Sequence, residues 1–269
     1  MRFLKEHQAY IERIDSGLKD LMGKHESHPL HGPLTYSLQG GKRLRPLVVL
    51  LVNESLGRGP EDPIPATSAI ELLHTVSLIH DDIIDKESVR REKAPYYQMY
   101  GVDSALLSAD FVLGIILEVA SSYGEKAVGR ELSRAAIEMS SGEELERRAT
   151  QAPGRVRWKD YIRILELKTA SLFRASAGVG AVLSARRELS STMGDFGTKL
   201  GMAYQLRDDL SDMAKPGELI NILEMESEEK VSKIAEAAED YGRSALEMLS
   251  GLPQSPSLEK LRKLIVEYF

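Results

Sequence analysis

The chain contains no cysteine, a single tryptophan and few aromatic side chains among its 269 residues. Without cysteine it has no disulfide, no thiolate metal site and no cysteine nucleophile, which is typical of a cytosolic protein. No uninterrupted apolar run reaches the roughly 18 residues of a membrane span, because the longest ones contain Glu118 or Arg174. The amino-terminal segment MRFLKEHQAYIERI is patterned as a charged amphipathic helix and not as a signal peptide. We therefore expect a cytoplasmic protein without a transmembrane segment.

The net charge is −6, and apolar residues make up 42% of the chain, enough for a sizeable core. The negative charge argues against a general binder of nucleic acid or of anionic membranes, because both carry phosphate charge. One large domain is plausible at this length, and the sequence has no low-complexity tract, interdomain linker or clear repeat. We predict one domain over residues 1–269.

Apolar residues recur at helical spacing along nearly the whole chain, and no segment alternates convincingly as a strand does. A long helix is expected to start near Ser68, with Glu71 three residues later in the position of a capping box. The fold class is therefore predicted to be all-α, a helical bundle around a central cavity. The other predicted helices cover residues 3–22, 34–39, 43–57, 102–123, a segment that ends at Ser141, 158–177, 188–213, 227–250 and 256–268.

The stretch IELLHTVSLIHDDIIDKESVRR, residues 70–91, carries the first group of chemically active side chains. On a helix, one face presents an apolar stripe of Leu72, Val76, Ile79 and Ile83, and the opposite face presents His74, Leu78, Asp81 and Asp85, with Asp82 to one side. Like charges four residues apart repel, so Asp81 and Asp85 require either open solvent or a cation beside them. Arg90 and Arg91 follow, which favours a metal-bridged phosphate or diphosphate; an ordinary solvated acidic helix end is the alternative.

A second acidic cluster contains Asp208, Asp209 and Asp212, with Gln205 on the same helical face. If the two clusters face each other across a bundle, six carboxylates surround one cavity, and their burial without partners would be costly. A divalent metal removes that cost. Oxygen ligands without cysteine favour a hard ion, and Mg²⁺ commonly bridges carboxylates to phosphates.

Cations precede these clusters in the segment GGKRLRP, residues 40–46. Lys42, Arg43 and Arg45 lie at a predicted helix start, where positive charge opposes the helix dipole. A bound anion is one explanation, since backbone N–H groups also point there; a basic helix start after a glycine turn is the other. Lys168 lies on an apolar helix next to Thr169, and a phosphate is a reasonable partner for it.

Four segments, GGKRLRP, IELLHTVSLIHDDIIDKESVRR, KTASLF and YQLRDDLSD, occur in this order within residues 30–213. In this combination the chain resembles the trans-isoprenyl diphosphate synthases, also called polyprenyl synthetases. The resemblance implies the all-α isoprenoid synthase bundle, usually a homodimer. Residues 214–269 would then form a shortened lid and carboxy-terminal helices.

The resemblance implies a condensation of isopentenyl diphosphate with an allylic diphosphate through a Mg²⁺-assisted allylic carbocation. Catalysis would depend on Asp81, Asp82, Asp85, Lys168, Asp208 and Asp209. Mg²⁺ would be held by Asp81, Asp82, Asp85, Asp208, Asp209 and Asp212. The allylic diphosphate would be contacted by Arg90, Lys168, Thr169 and Gln205. Isopentenyl diphosphate would be bound by Lys42, Arg45, His74 and Arg91.

The chain departs from the family pattern at several places. Glu92 replaces the glycine that usually follows the double arginine, and Glu146 replaces the glutamine of a GExxQ segment. The segment after Asp212 is short, with Lys215 in place of a longer lysine-bearing loop. The residues that floor the product pocket in this family correspond to Val76 and Ser77, which lack an aromatic ring, so geranylgeranyl or longer products are expected.

Three other functions fit parts of this sequence. A catalytically silent subunit that regulates a partner synthase is the main alternative, although such a protein would be expected to lose one aspartate cluster. A metal phosphohydrolase using His74, His80 and Asp81 leaves RDDLSD and GGKRLRP unexplained, and His80 points about 100° from Asp81 on a helix. Terpene cyclases and head-to-head synthases generally lack the GGKRLRP element.

Overall fold

The structure, a computed structural model, describes residues 6–151, 156–213, 215 and 218–268. Those residues contain α-helices and short helical turns but no β-strand, so the predicted all-α class is confirmed. The helices are α1 (Gln8–Gly23), α2 (His31–Leu38), α3 (Leu44–Ser55), α4 (Ile64–Ile84), α5 (Tyr96–Tyr100), α6 (Val102–Ser122), α7 (Ala127–Gln151), α8 (Trp158–Leu165), α9 (Ser171–Val182), α10 (Ser190–Asp212), α11 (Ser227–Met248) and α12 (Pro256–Tyr268).

Helix α4 begins four residues earlier than the sequence predicts. Pro63 occupies its N-cap position and Pro65 lies in the first turn, where a missing N–H costs nothing and the fixed φ suits a helix. Ser68 therefore lies inside the helix, and its hydroxyl donates to the carbonyl of Ile64 at 3.4 Å. The predicted capping box is wrong: Glu71 is buried and accepts a hydrogen bond from Arg43 at 2.6 Å.

Two other boundaries differ from the prediction. Helix α7 continues past Ser141 and Gly142 to Gln151. The helix predicted at residues 158–177 is interrupted by a π-helical turn, Glu166–Ala170, before α9 continues it to Val182. Residues 3–5 of the first predicted helix, and residues 214, 216 and 217 of the predicted lid, lie outside the described residues.

Helix α9 forms the centre of the bundle. Every one of its residues is buried, and it packs against α3, α7 and α10. The close approach depends on small residues: a Cβ placed on Gly180 would lie 2.5 Å from the carbonyl oxygen of Val49 on α3. Helix α4 packs beside this centre against α1, α3, α6 and α7, so its carboxyl end and that of α10 are held by a rigid core.

The apolar face predicted for α4 is present, since Leu72, Val76 and Ile79 are buried and Ile83 is partly buried. Helix α6, by contrast, exposes much of its apolar surface. It is long and apolar enough to cross a membrane by length and composition, and 33% of its most apolar window is buried. Core helices of soluble proteins pass the same test, so the predicted absence of a membrane span stays a prediction.

Candidate active site

A cavity of about 900 Å³ lies among α4, α6, α7 and the carboxyl end of α10. Its polar lining lies near the ends of α4 and α10 and includes Arg45, His74, Asp81, Lys168, Thr169, Gln205 and Asp208. The rest of its lining is largely apolar, with Leu73, Val76, Val112, Leu113, Ile116, Leu132 and Met139. The cavity therefore combines a charged end with an apolar interior, as a ligand with an ionic head and a hydrocarbon tail requires.

The aspartates of the first cluster lie in different surroundings. Asp81 lines the cavity, and Asp85 is exposed at the C-cap of α4. Burial raises the pKa of Asp81 to about 8; the charge of Lys168 opposes this shift, and the carboxylate of Glu143 adds to it. A carboxylate this crowded favours either a proton or a metal cation beside it.

Asp82, which is also predicted to be a metal ligand, does not line this cavity. Its side chain is buried and accepts hydrogen bonds from Arg90, at 2.6 Å from Nε and 2.5 Å from Nη2. The reason is geometric, because adjacent helical residues point about 100° apart. Asp82 therefore orients Arg90, whose side chain is 35% exposed.

The second aspartate cluster is held by side-chain hydrogen bonds. Asp209 accepts from the hydroxyl of Tyr161 and, at 2.6 Å, from Nε2 of Gln205. Burial raises the pKa of Asp209 to about 6, although both hydrogen bonds oppose the shift. Gln205 in turn accepts from the hydroxyl of Thr169 at 3.0 Å. This chain of contacts fixes two predicted substrate-binding residues against one predicted metal ligand.

The remaining acidic residues of this cluster lie beside lysines. Asp208 lines the cavity; burial raises its pKa, and the charge of Lys42 opposes the shift. Asp212 forms an ion pair with Lys215 at 2.7 Å. Within the described part of the chain, no three acidic or histidine side chains converge into a metal cage made of protein alone. Any bound cation would take further ligands from substrate oxygens and water, which is how Mg²⁺ is usually held.

Lys168 lies in the π-helical turn and is held by α7. Its Nζ is 2.7 Å from a carboxylate oxygen of Glu143 and donates a hydrogen bond to Glu146. Burial disfavours its charge, but Glu146, Asp81 and Glu143 together raise the pKa of Lys168. The replacement of glutamine by Glu146 thus has a physical account, since Glu146 provides an anionic partner for Lys168.

The backbone conformation of the segment GGKRLRP directs its basic side chains to different places. Gly40, Gly41 and Arg43 have φ of 77°, 93° and 52°, and these left-handed turns end the loop at the start of α3. Arg43 is buried, with Asp15 at 2.8 Å and Glu71 at 2.6 Å. It is therefore a structural residue that joins α1 to α4.

Arg45 reaches the cavity and contacts His74. Its Nη1 lies 3.2 Å from Nε2 of His74, and its guanidinium lies 4.7 Å from the ring centre of Phe173. Burial, and then the charge of Arg45, hold the pKa of His74 well below 6.5, so neutral His74 accepts the hydrogen bond. Nε of Arg45 is buried without a hydrogen-bond partner, which leaves a donor for an anionic ligand.

Arg91 lies against the glycine loop. Its Nη1 donates to the carbonyls of Gln39 and Gly40 at 3.3 and 3.4 Å. Arg91 and Glu92 both have left-handed backbones, with φ of 52° and 64°. A left-handed conformation favours glycine, which accounts physically for the family's glycine at the position of Glu92.

The sequence does not predict a site role for three participants, although Glu146 stands out there as a departure from the family pattern. Tyr161 lies on α8, and its contact with Asp209 spans 48 residues. Glu143 and Glu146 follow Gly142 on α7, where a Cβ on Gly142 would lie 2.4 Å from the amide nitrogen of Lys168. Gly142 followed by acidic residues is the sequence signal that could have identified these two glutamates, because a glycine within a helix often marks a close backbone approach.

Comparisons with known proteins bear on the family to which the chain belongs. The sequence model of the polyprenyl synthetase family matches residues 27–223. The chain is 32% identical to the geranylfarnesyl diphosphate synthase of Methanosarcina mazei over 272 aligned positions, covering 96% of this chain and 86% of that enzyme. The crystal structure of geranylgeranyl pyrophosphate synthetase from Pyrococcus horikoshii superposes with a TM-score of 0.88 at 25% identity, covering 99% and 98% of the two chains.

A geranyltranstransferase from Methanosarcina mazei is also similar, with a TM-score of 0.81 and 30% identity over 96% of this chain and 95% of that chain. The family match covers well over half of the sequence and includes all four motif segments. The resemblance inferred from those segments is thereby confirmed, and the chain belongs to the polyprenyl synthetase family.

Proposed function

We propose that the chain condenses isopentenyl diphosphate head-to-tail with an allylic diphosphate to form an all-trans polyprenyl diphosphate. The single observation that carries this proposal is the cavity, which has a charged end with Arg45, Lys168, Asp81 and Asp208 and a long apolar interior. The named relatives are synthases of such diphosphates. A charged end joined to an apolar interior suits a substrate with a diphosphate head and a hydrocarbon tail.

The polar and charged side chains around the charged end fall into two sets. Arg90, Lys168, Thr169 and Gln205 are assigned to the allylic diphosphate. Lys42, Arg45, His74 and Arg91 are assigned to isopentenyl diphosphate. The unpartnered Nε of Arg45 supports the second assignment. Because burial, and then the charge of Arg45, keep His74 neutral, His74 acts as a hydrogen-bonding group at the second site and need not be a base.

Mg²⁺ is the proposed metal, and the residues present fit it. Asp81 and Asp209 have pKa values raised to about 8 and about 6, so both gain from a nearby cation, and the site has hard oxygen ligands only. Asp82, Asp85, Asp208 and Asp212 complete the set, and Asp82 also orients Arg90. When bound, the metal would neutralise charge that develops on the departing pyrophosphate.

The chain's own groups account for the rest of the chemistry. The arginines and Lys168 stabilise the leaving pyrophosphate, and the apolar interior keeps water from a reactive allylic cation. No protein nucleophile is required, because the alkene of isopentenyl diphosphate attacks the allylic cation and the released pyrophosphate accepts the proton that is then lost. Val76 and Ser77 line the interior without an aromatic ring, which supports products of geranylgeranyl length or longer. The proposal further includes a single domain, a cytoplasmic location and a homodimer.

The test is incorporation of radiolabelled isopentenyl diphosphate with dimethylallyl, geranyl, farnesyl and geranylgeranyl diphosphates as primers, with and without Mg²⁺, followed by chain-length analysis. Metal-dependent incorporation is expected. A folded protein that incorporates nothing with any primer in the presence of Mg²⁺ would contradict the proposal and favour the silent regulatory subunit. The short segment after Asp212 is the feature that keeps that alternative open.

A further inference from the structure

The segment that carries Arg90 and Arg91 turns back on itself within four residues. The N–H of Arg90 donates to the carbonyl of Lys93 at 2.8 Å, and the N–H of Lys93 donates to the carbonyl of Arg90 at 3.0 Å. The two residues between them, Arg91 and Glu92, both have positive φ. Two successive residues with positive φ are the mark of a type I′ turn, which is usually made of Asn and Gly.

This turn is unfavourable for the residues that form it here. A left-handed backbone crowds the Cβ of any residue other than glycine, and neither Arg91 nor Glu92 has the short polar side chain with which Asn and Asp tolerate it. Strained backbones of this kind persist only where surrounding contacts enforce them. Contacts outside the turn must therefore hold it.

The contacts that hold the turn come from both of its sides. On one side, Arg90 is hydrogen-bonded to Asp82. On the other side, Nζ of Lys93 donates to Oε1 of Gln39 at 2.6 Å, and the carbonyl of Gln39 accepts from Nη1 of Arg91 at 3.3 Å. Gln39 thus contacts Lys93 through its side chain and Arg91 through its backbone, which joins the turn to the glycine loop.

The environment of Lys93 supports a role in holding this turn. Its Nζ lies 5.6 Å from the ring centre of Tyr36 on α2, and the hydroxyl of Tyr36 donates to the carbonyl of Ala94 at 2.8 Å. Lys93 does not line the active-site cavity. Its effect on a substrate would therefore pass through its neighbours.

The position of the turn decides where the guanidinium of Arg91 lies. A Cβ placed on Gly41 would be 3.0 Å from Nη2 of Arg91, so the guanidinium lies directly against the glycine loop. The next residue of that loop is Lys42, which is assigned to the same substrate as Arg91. If the turn relaxed, Arg91 would move away from the loop and from that substrate.

We propose that Lys93 is a positioning residue for Arg91. Through its hydrogen bond to Gln39, it holds the strained turn against the glycine loop and keeps Arg91 at the isopentenyl diphosphate site. This inference rests on the proposed function, in which Arg91 is assigned to that substrate. It also accounts for how this chain keeps the turn with Glu92 in place of the family's glycine.

Steady-state kinetics of substitutions at Lys93 test the proposal. Lys93→Met removes the donor to Gln39, and it is expected to raise KM for isopentenyl diphosphate about threefold, the effect of losing an exposed charged contact. KM for the allylic diphosphate should change less, because Arg90 keeps its hydrogen bonds to Asp82, and kcat should be nearly unchanged. Lys93→Arg keeps a donor at this position and should behave like the wild type.

Replacement of Glu92 distinguishes positioning from a simple loss of charge. Glycine adopts a left-handed backbone readily, so Glu92→Gly combined with Lys93→Met should restore the wild-type KM for isopentenyl diphosphate. Glu92→Gln combined with Lys93→Met is the matched control, because it removes the same negative charge and keeps a residue that disfavours a left-handed backbone. This control should retain the raised KM.

An unchanged KM for isopentenyl diphosphate in Lys93→Met would overturn the proposal, and so would equal recovery in the two double variants. An equal rise in KM for both substrates would also overturn it, because Lys93 would then act on the whole segment and not on Arg91. Failure of the proposed function is a separate result, recognised when the folded wild type incorporates no isopentenyl diphosphate with any primer, and this inference would then fail with it.

Discussion

The ammonium group of Lys168 donates a hydrogen bond to the carboxylate of Glu146, the residue that replaces the glutamine of the family pattern. Glu143 holds the same ammonium at 2.7 Å. Lys168 is assigned to the allylic diphosphate, so the substrate must compete with two carboxylates for it. A neutral amide at position 146 would compete less.

Glu146→Gln is therefore expected to lower KM for the allylic diphosphate, with kcat nearly unchanged. Loss of one partly buried charge pair is worth about 1 kcal/mol, or roughly fivefold in KM. Steady-state kinetics with varied primer would measure it. Glu144→Gln is the matched control, because Glu144 lies on the same helix but pairs with Arg147 and Arg148. A higher KM in Glu146→Gln, or an equal decrease in the control, would contradict this account.

The second prediction concerns the hydrogen bond from Tyr161 to Asp209. This bond opposes the raised pKa of Asp209, so Tyr161→Phe should raise that pKa further and let protons compete with the metal. A hydrogen bond to a charged group is worth about 1.5–3 kcal/mol. We therefore expect the Mg²⁺ concentration for half-maximal activity at pH 6.5 to rise by about tenfold, and by less at pH 8.5, where Asp209 is deprotonated in both proteins.

Tyr241→Phe is the control for that measurement, because Tyr241 packs in the same apolar cluster without contacting Asp209. An unchanged Mg²⁺ requirement in Tyr161→Phe at both pH values would show that the phenol does not support the metal site.

Helical periodicity accounts for what the sequence could predict about this site. Asp81 and Asp85 share a face because they are four residues apart. The family motifs predicted that Lys168, Gln205 and Asp208 share one site, and all three line the cavity. Contacts between residues far apart in the sequence could not be predicted from periodicity. Glu71 is an example: a local capping box was predicted, but its partner Arg43 lies 28 residues earlier and is reached through a left-handed turn.

Asp82 illustrates the opposite situation, in which helical periodicity alone predicts the direction of the side chain. Helix geometry already placed Asp82 to one side of Asp81, and the family pattern grouped the two residues together regardless. The structure separates them, because Arg90 follows the end of α4 and turns back onto Asp82. Helical periodicity predicts this separation, and the role of Asp82 at the metal stays a prediction.

The third prediction concerns Val76, which lines the apolar interior and is 9% exposed. Val76→Phe adds a ring to a wall made of aliphatic side chains, so it should shorten the main product by one isoprene unit or more while the first condensation is retained. Chain-length analysis of radiolabelled products would show this. Val76→Ala removes volume at the same position and should not shorten the product. An unchanged distribution of product lengths in Val76→Phe would contradict the proposal that this position limits chain length.

The fourth prediction concerns stability and pH. Burial and Arg45 depress the pKa of His74 below 6.5 in the folded protein, so the unfolded chain binds a proton here first as the pH falls. The stability is therefore complete above about pH 6.5 and decreases below it. Between pH 7 and pH 5.5 the wild type should lose about 1 kcal/mol of unfolding free energy relative to His74→Gln.

Urea denaturation of both proteins at each pH measures that difference. His80, whose pKa is also lowered by burial, is present in both and cancels, as do the shifted carboxylates. Parallel stability curves for the two proteins would mean that His74 takes up its proton in the folded state near its ordinary pKa. A charged imidazole would then lie beside Arg45, and the assignment of His74 as a neutral acceptor would be wrong.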